Sequence, residues 1–402
     1  MSSHLLLVGA DEQRHATAHR LGLRLTLLTR VSSLGSLRDL ARYERIIAVT
    51  DSAPVEEWTA AARTVAAYDP VDALGAFAEE AQEHAVAVAD ALGLPCHPAE
   101  AVRLAGHGPL LRARLRDAGV DGTAASEVRD TADVAAFAAV YGYPLVLKPV
   151  DGMGAGAASV IRSAAELAEL AELVGLLPTG RRMMVEEYLD GEEYGVEAFS
   201  ERGVHRLVCV SQTLIDPVAR VRTGHCLPAP AESRLRADVE AFLPRVLDAL
   251  GVRDGPTHTR IVMTDAGPRV VRIRLRPGGD RIVELASLAL GLDLDELWVR
   301  HVCGERVLDE LHPRLSRAAA VRFVTPRAPG LLERCYGAEE AAAVEGVEGV
   351  HWLCEPGSLY PGALTPETPG ACVVATGDSG QQAVARSLAA AARLRFVVVC
   401  AG

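Results

Sequence analysis

Lys148 is the one lysine among the 41 Lys and Arg residues of the chain. It closes an apolar run, Leu145-Val-Leu-Lys-Pro-Val, and stands directly before the glycine-rich Asp151-Gly-Met-Gly-Ala-Gly. A compact ammonium and a planar guanidinium are not interchangeable in a tight site, so a lysine kept where arginine serves everywhere else marks a position that needs the smaller cation. Gly152 and Gly154 let the backbone bring its N–H groups close to phosphate oxygens while the ammonium supplies charge. Further along, Glu186-Glu-Tyr-Leu-Asp-Gly-Glu-Glu gathers three acids of interest, Glu186, Glu187 and Glu193, around the apolar Leu189.

A second constellation is basic. The runs Thr259-Arg-Ile-Val-Met-Thr and Arg269-Val-Val-Arg-Ile-Arg-Leu-Arg read as strands, and Asp265-Ala-Gly-Pro between them suits a tight hairpin. Side chains alternate along a strand, so Arg272, Arg274 and Arg276 are expected on one face, with Arg260 opposite Arg272. Facing like charges cost several tenths of a kcal/mol or more, a penalty that an anion between them would remove. Guanidinium forks match carboxylate or phosphate. A hard divalent cation wants oxygen ligands, which arginine does not have, so magnesium is not expected here. Arg220 and Arg222, ahead of Thr223-Gly-His-Cys-Leu-Pro, are expected to add to the lining.

In order along the chain, the lysine before a glycine loop, EEYLDGEEYGVE, GPTH and a hairpin ending in an arginine before GGDRI resemble the ATP-grasp superfamily. The similarity is to the L-amino acid ligase branch of carboxylate-amine ligases with a C-terminal cap, and it covers nearly the whole chain. The resemblance implies that Lys148 contacts ATP phosphates, that Glu186 to Leu189 meets the adenine and that Glu193 binds ribose hydroxyls. It also implies that Arg276 is the family's own catalytic arginine, that His225 and His258 lie beside the cleft, and that the chain forms a homodimer.

The departures are specific. His107-Gly108 stands where the family carries Asp-Lys, and Ala155 and Ala157 replace a serine and a glycine of the loop. GPTHTR and VRIRLR replace GPxHxE and xExNxR, so Arg260, Arg272 and Arg274 occupy the three metal-ligand positions. The expected function is therefore an atypical ATP-grasp protein whose arginine-lined cleft binds a nucleotide or another small anion, with the family's magnesium-dependent acyl-phosphate chemistry lost or altered. Two alternatives stand beside it. One is a working ATP-dependent carboxylate-amine ligase with arginines in place of magnesium; the other is an ATP-independent enzyme acting on an anionic substrate, with His225 and His258 for acid–base work.

These groups need elements to hold them. LLLVGA, LRLTLLT and RIIAVT predict a βαβ domain over residues 1–104, ended by Gly93 and Pro95. Residues 105–185 and 186–320 are read as the small and large lobes of the ATP-grasp domain, and 321–402 as an α+β cap, giving a mixed α/β and α+β fold. A net charge of −12 disfavours nucleic acid and acidic membrane surfaces as partners. The N-terminal apolar run lacks a basic flank and is too short for a signal peptide, and no run is long enough to span a bilayer. Eight cysteines without CxxC or zinc spacing read as free thiols of a cytoplasmic, bacterial-type biosynthetic protein.

Overall fold

The computed structural model describes residues 2–151, 158–174, 182–216, 221–230, 232–326, 328–360 and 369–399. Apolar strands His4–Val8 and Arg24–Arg30 are buried on both faces, as parallel strands covered by helices are. They pair in parallel with Arg45–Val49 and Ala73–Gly75, giving the strand order 45–49, 24–30, 4–8, 73–75. Helix Glu12–Arg20 begins on Asp11, whose carboxylate accepts the Arg14 N–H at 3.0 Å. Helix Gln82–Leu92 stops at Gly93, which takes a left-handed conformation (φ 68°) that a residue with a Cβ adopts at a cost.

An antiparallel sheet follows, with strands Ala125–Val128, Met183–Glu187, Leu145–Pro149 and Ser159–Ile161 in that spatial order. The larger sheet has eight strands among the described residues. Its edge is the predicted hairpin, Gly267–Arg274 paired with Gly255–Thr264, followed by Glu192–Glu201, Val204–Ile215 and Arg222–Leu227. Strands Ala318–Val324, Ala371–Gly377 and Val347–Trp352 continue the same sheet, so the C-terminal residues are joined to the cleft-bearing strands by backbone hydrogen bonds rather than resting on them as a detached cap. The architecture is mixed α/β and α+β, with a parallel N-terminal sheet and antiparallel sheets behind it, as the sequence leads one to expect.

One core ties these parts together. Leu5, Leu7 and Phe77 of the N-terminal domain share a buried cluster with Trp298 and Leu297 of helix Leu294–Val302 and with Val321 and Val374 near the C-terminus. Phe77 meets the Trp298 ring edge-on at 4.8 Å. Gln82 donates from Nε2 to the Leu275 carbonyl at 3.0 Å, in a buried position. The turn between Phe77 and Gln82 is thereby pinned against the arginine-bearing strand. Among the described residues, no helix is long and apolar enough to cross a membrane.

Candidate functional site

The hairpin pairs as expected: Arg260 is in register with Arg272 and His258 with Arg274. Alternation then puts Arg272, Arg274 and Arg276 on one face, and all three reach the same carboxylate. Glu79, 193 residues away from Arg272 in the sequence, lies 3.3 Å from Arg272 and 2.8 Å from Arg276, and it also contacts Arg274. Arg260 turns the other way, to Glu193 on the neighbouring strand, at 2.7 Å. Burial alone would raise the Glu193 pKa, but the Arg260 charge and hydrogen bonds outweigh it and hold the carboxyl below its usual range. The expected ribose acid is therefore already engaged by an expected metal-position residue.

Lys148 projects from strand 145–149 onto Glu186 of the adjacent strand 183–187. Glu186 also receives Arg112, at 2.9 Å, and Arg112 continues to Asp121 at 3.4 Å. Arg112 is 2% exposed, so this is a buried charge network rather than a surface pair. Burial would push Glu186 up, yet Arg112 and Lys148 together bring its pKa down. Burial lowers the Lys148 pKa, with Glu186 opposing it. Glu187 accepts the Ala124 N–H at 2.6 Å and so fixes the strand edge.

A third group closes the floor. Glu197 is hydrogen-bonded to His258 Nδ1 and accepts the Gly278 N–H at 2.9 Å. A Cβ on Gly278 would fall 2.6 Å from Glu197 Oε1 and 2.9 Å from His258 Nδ1, so glycine is what permits this approach. Asp280 pairs with Arg222 at 2.7 Å and lies 3.9 Å from His225. Burial would raise its pKa, but the nearby His225 imidazole and the Arg222 charge hold it far below the ordinary carboxylate value. Asp280 and Arg281 both have positive φ, 55° and 68°, a conformation costly for residues with a Cβ and often found where a site is shaped.

Lys148, Glu186, Glu187, Leu189, Glu193, Arg222, His258, Arg260, Arg272, Arg274 and Arg276 line one cavity of about 490 Å³. His225 does not reach its wall; it sits beneath Asp280, and burial lowers its pKa. Gly152, Gly154 and Arg220, with Ala155 and Ala157, lie outside the described residues. A second cavity, of about 820 Å³, runs between the N-terminal domain and the C-terminal strands and shares Arg276, Gly279 and Asp280 with the first. Gly108, expected to stand where the family carries a lysine, also faces the first cavity, and a Cβ there would lie 2.4 Å from Met184 Sδ.

Four residues of the site were not anticipated. Glu197 could have been read from strand alternation, since it follows Glu193 and Gly195 on the same face. Arg112, Asp280 and Glu79 carry no local signal; their roles arise from contacts made far along the chain.

Known proteins share the domains and the fold of this chain. The ATP-grasp domain model matches residues 141–284, and the model of L-amino acid ligase C-terminal domain 2 matches residues 322–399. The chain is 30% identical over 249 residues to the uncharacterized protein y4rH of Sinorhizobium fredii, covering 61% of this chain and 51% of that one. It is 24% identical over 229 residues to the carbamoyl phosphate synthase large chain of Archaeoglobus fulgidus, covering 56% and 21%. The chain thus spans about half the length of the first of these curated relatives and about a fifth of the second. The L-amino acid ligase of Bacillus licheniformis superposes with a TM-score of 0.83 at 20% identity, covering 99% of both chains. The carboxyaminoimidazole ribonucleotide synthase of Aspergillus clavatus, in complex with ATP, gives 0.75 at 14% identity, covering 98% of this chain and 99% of that one. The chain therefore carries an ATP-grasp domain followed by a domain of the L-amino acid ligase C-terminal kind, on the fold that the L-amino acid ligase structure shares.

Proposed function

We propose that this protein is an ATP-dependent carboxylate-amine ligase in which arginines do the charge neutralisation that magnesium does elsewhere in the superfamily. The observation that carries the reading is the junction of the two cavities at Arg276, Gly279 and Asp280. One cavity holds the lysine, the acids and the arginine strand of a nucleotide site, and the other opens towards the L-amino acid ligase-type domain. A phosphoryl group held at Arg276 would face both. Phosphoryl transfer depends on positioning and on neutralising charge at the phosphate oxygens, and guanidinium groups supply both.

The same strand does not fit a divalent cation. Arg260, Arg272 and Arg274 offer only donors, whereas magnesium takes oxygen ligands in an octahedron. The nearby acids Glu79 and Glu193 are turned onto arginines instead.

A second reading is a nucleotide- or anion-binding protein without turnover. It is favoured by Gly108, which leaves the cavity without the family's other phosphate-facing lysine. The experiment is calorimetric titration of ATP, once with magnesium and once with a chelator, followed by assay of phosphate release with mixtures of amino acids. Magnesium-independent binding with amino acid-dependent phosphate release supports the ligase. Binding without release supports the second reading, and absence of binding in both buffers rejects both.

A further inference from the structure

Glu79 is an acid of the N-terminal domain whose carboxylate meets Arg272, Arg274 and Arg276 together, and its setting is unusual for a structural ion-pair partner. Its backbone is fixed from both sides, by Phe77 against Trp298 and by Gln82 on the carbonyl of Leu275, the residue between Arg274 and Arg276. Its side chain is 24% exposed and forms part of the wall of two cavities, of about 820 Å³ and about 280 Å³. Three guanidinium groups therefore hold a carboxylate that packing does not hold, on a backbone that does not have to move for the side chain to leave.

We propose that Glu79 is a resident anion of the arginine strand and the residue that sets its ligand specificity: a ligand's phosphoryl groups displace it, and a singly charged carboxylate does not. This rests on the reading of the cleft as an arginine-lined phosphate site. The physical basis is competition. A tethered carboxylate acts at an effective concentration on the order of millimolar or more, so a free carboxylate of the same charge and geometry has no advantage over it. A diphosphate brings more charge and more acceptor oxygens, and so more charge-assisted bonds, to the same three forks. Once displaced, the Glu79 carboxylate has the larger cavity to enter, because it already forms part of that wall.

The test uses inorganic pyrophosphate and acetate with the full chain in the presence of a chelator. Glu79→Gln keeps the shape of the side chain and removes its charge; Glu79→Ala empties the place. Both are checked for folding by thermal melting before titration. The expected result is that pyrophosphate binds both variants about tenfold or more tightly than the parent, the scale of losing one charge-assisted competitor. Acetate should raise the melting temperature of Glu79→Ala and leave that of the parent unchanged. Equal or weaker pyrophosphate binding by the variants overturns the displacement while leaving the arginine site standing. Failure of pyrophosphate to bind parent and variants alike overturns the phosphate site itself, and the displacement with it.

Discussion

Arg260 and Arg272 stand opposite each other across the hairpin, and their guanidinium groups part towards different carboxylates, Glu193 at 2.7 Å and Glu79 at 3.3 Å. Neither acid belongs to the hairpin. Glu193 comes from the next strand of the sheet and Glu79 from the N-terminal domain, so the repulsion of two facing cations is relieved by tertiary structure. An arginine ladder of this kind is compatible with the fold because its counter-ions are built elsewhere.

Reversing the three metal-position residues tests the correspondence on which this rests. In the triple variant Arg260→Glu, Arg272→Glu, Arg274→Asn, the new carboxylates meet Glu193 and Glu79, and a divalent cation is what would relieve them. Magnesium should raise the melting temperature of the triple variant and leave that of the parent unchanged. A folded triple variant indifferent to magnesium would mean that these positions are not equivalent to the family's metal ligands.

A side chain at position 108 meets a steric obstacle. A Cβ there would lie 2.4 Å from Met184 Sδ, and Met184 is itself 1% exposed, so its side chain has little room to retreat. Gly108→Lys should cost roughly 1–3 kcal/mol of stability, the usual penalty of overpacking. Adding Met184→Ala should recover part of that loss, although Met184→Ala alone destabilises by removing buried surface. Urea denaturation of the two single variants and the double gives the coupling. Simple additivity would show that the contact is not what keeps residue 108 a glycine.

Much of this was legible locally. The strand 145–149 with its lysine, the hairpin 255–274 and the opposition of Arg260 to Arg272 follow from apolar runs, a turn composition and period-two alternation. The counter-ions were not legible, because nothing in Phe77-Ala-Glu-Glu-Ala-Gln says that Glu79 will meet strand 267–274. The pinning by Phe77 and Gln82 exists only once the domains are packed. The continuation of the large sheet into residues 318–377 was hidden for the same reason. Strand pairing between distant segments leaves no periodic trace in either of them.

His15 couples acid to the packing behind the cleft. It is buried in helix 12–20, its Nδ1 lies 2.8 Å from the Tyr43 hydroxyl, and its ring packs near Phe77 at 6.5 Å. Burial pushes its pKa from 6.5 down to about 4, with Asp11 opposing and Arg42 and Arg14 reinforcing. The unfolded chain then takes up a proton below about pH 6.5 that the folded chain refuses until about pH 4, so stability falls as pH drops through that window. The full effect is about 3 kcal/mol at one pKa unit per 1.36 kcal/mol. His15→Gln should flatten the decline of urea stability between pH 6.5 and 4 relative to the parent. Parallel curves for the two proteins would remove His15 as its source.

Lys148 offers the sharpest separation of stability from binding. Glu186 keeps Arg112 when Lys148 is changed, so Lys148→Arg should alter the urea midpoint little. Glu186→Ala, by contrast, strips a partner from a guanidinium that is 2% exposed and should cost about 3–5 kcal/mol. For the nucleotide the order reverses. The longer, planar arginine cannot place a point charge between Glu186 and the cavity, so Lys148→Arg should weaken ATP binding by about tenfold or more in chelator. Unchanged affinity in a folded Lys148→Arg variant would reduce the single lysine of this arginine-rich chain to an accident of composition.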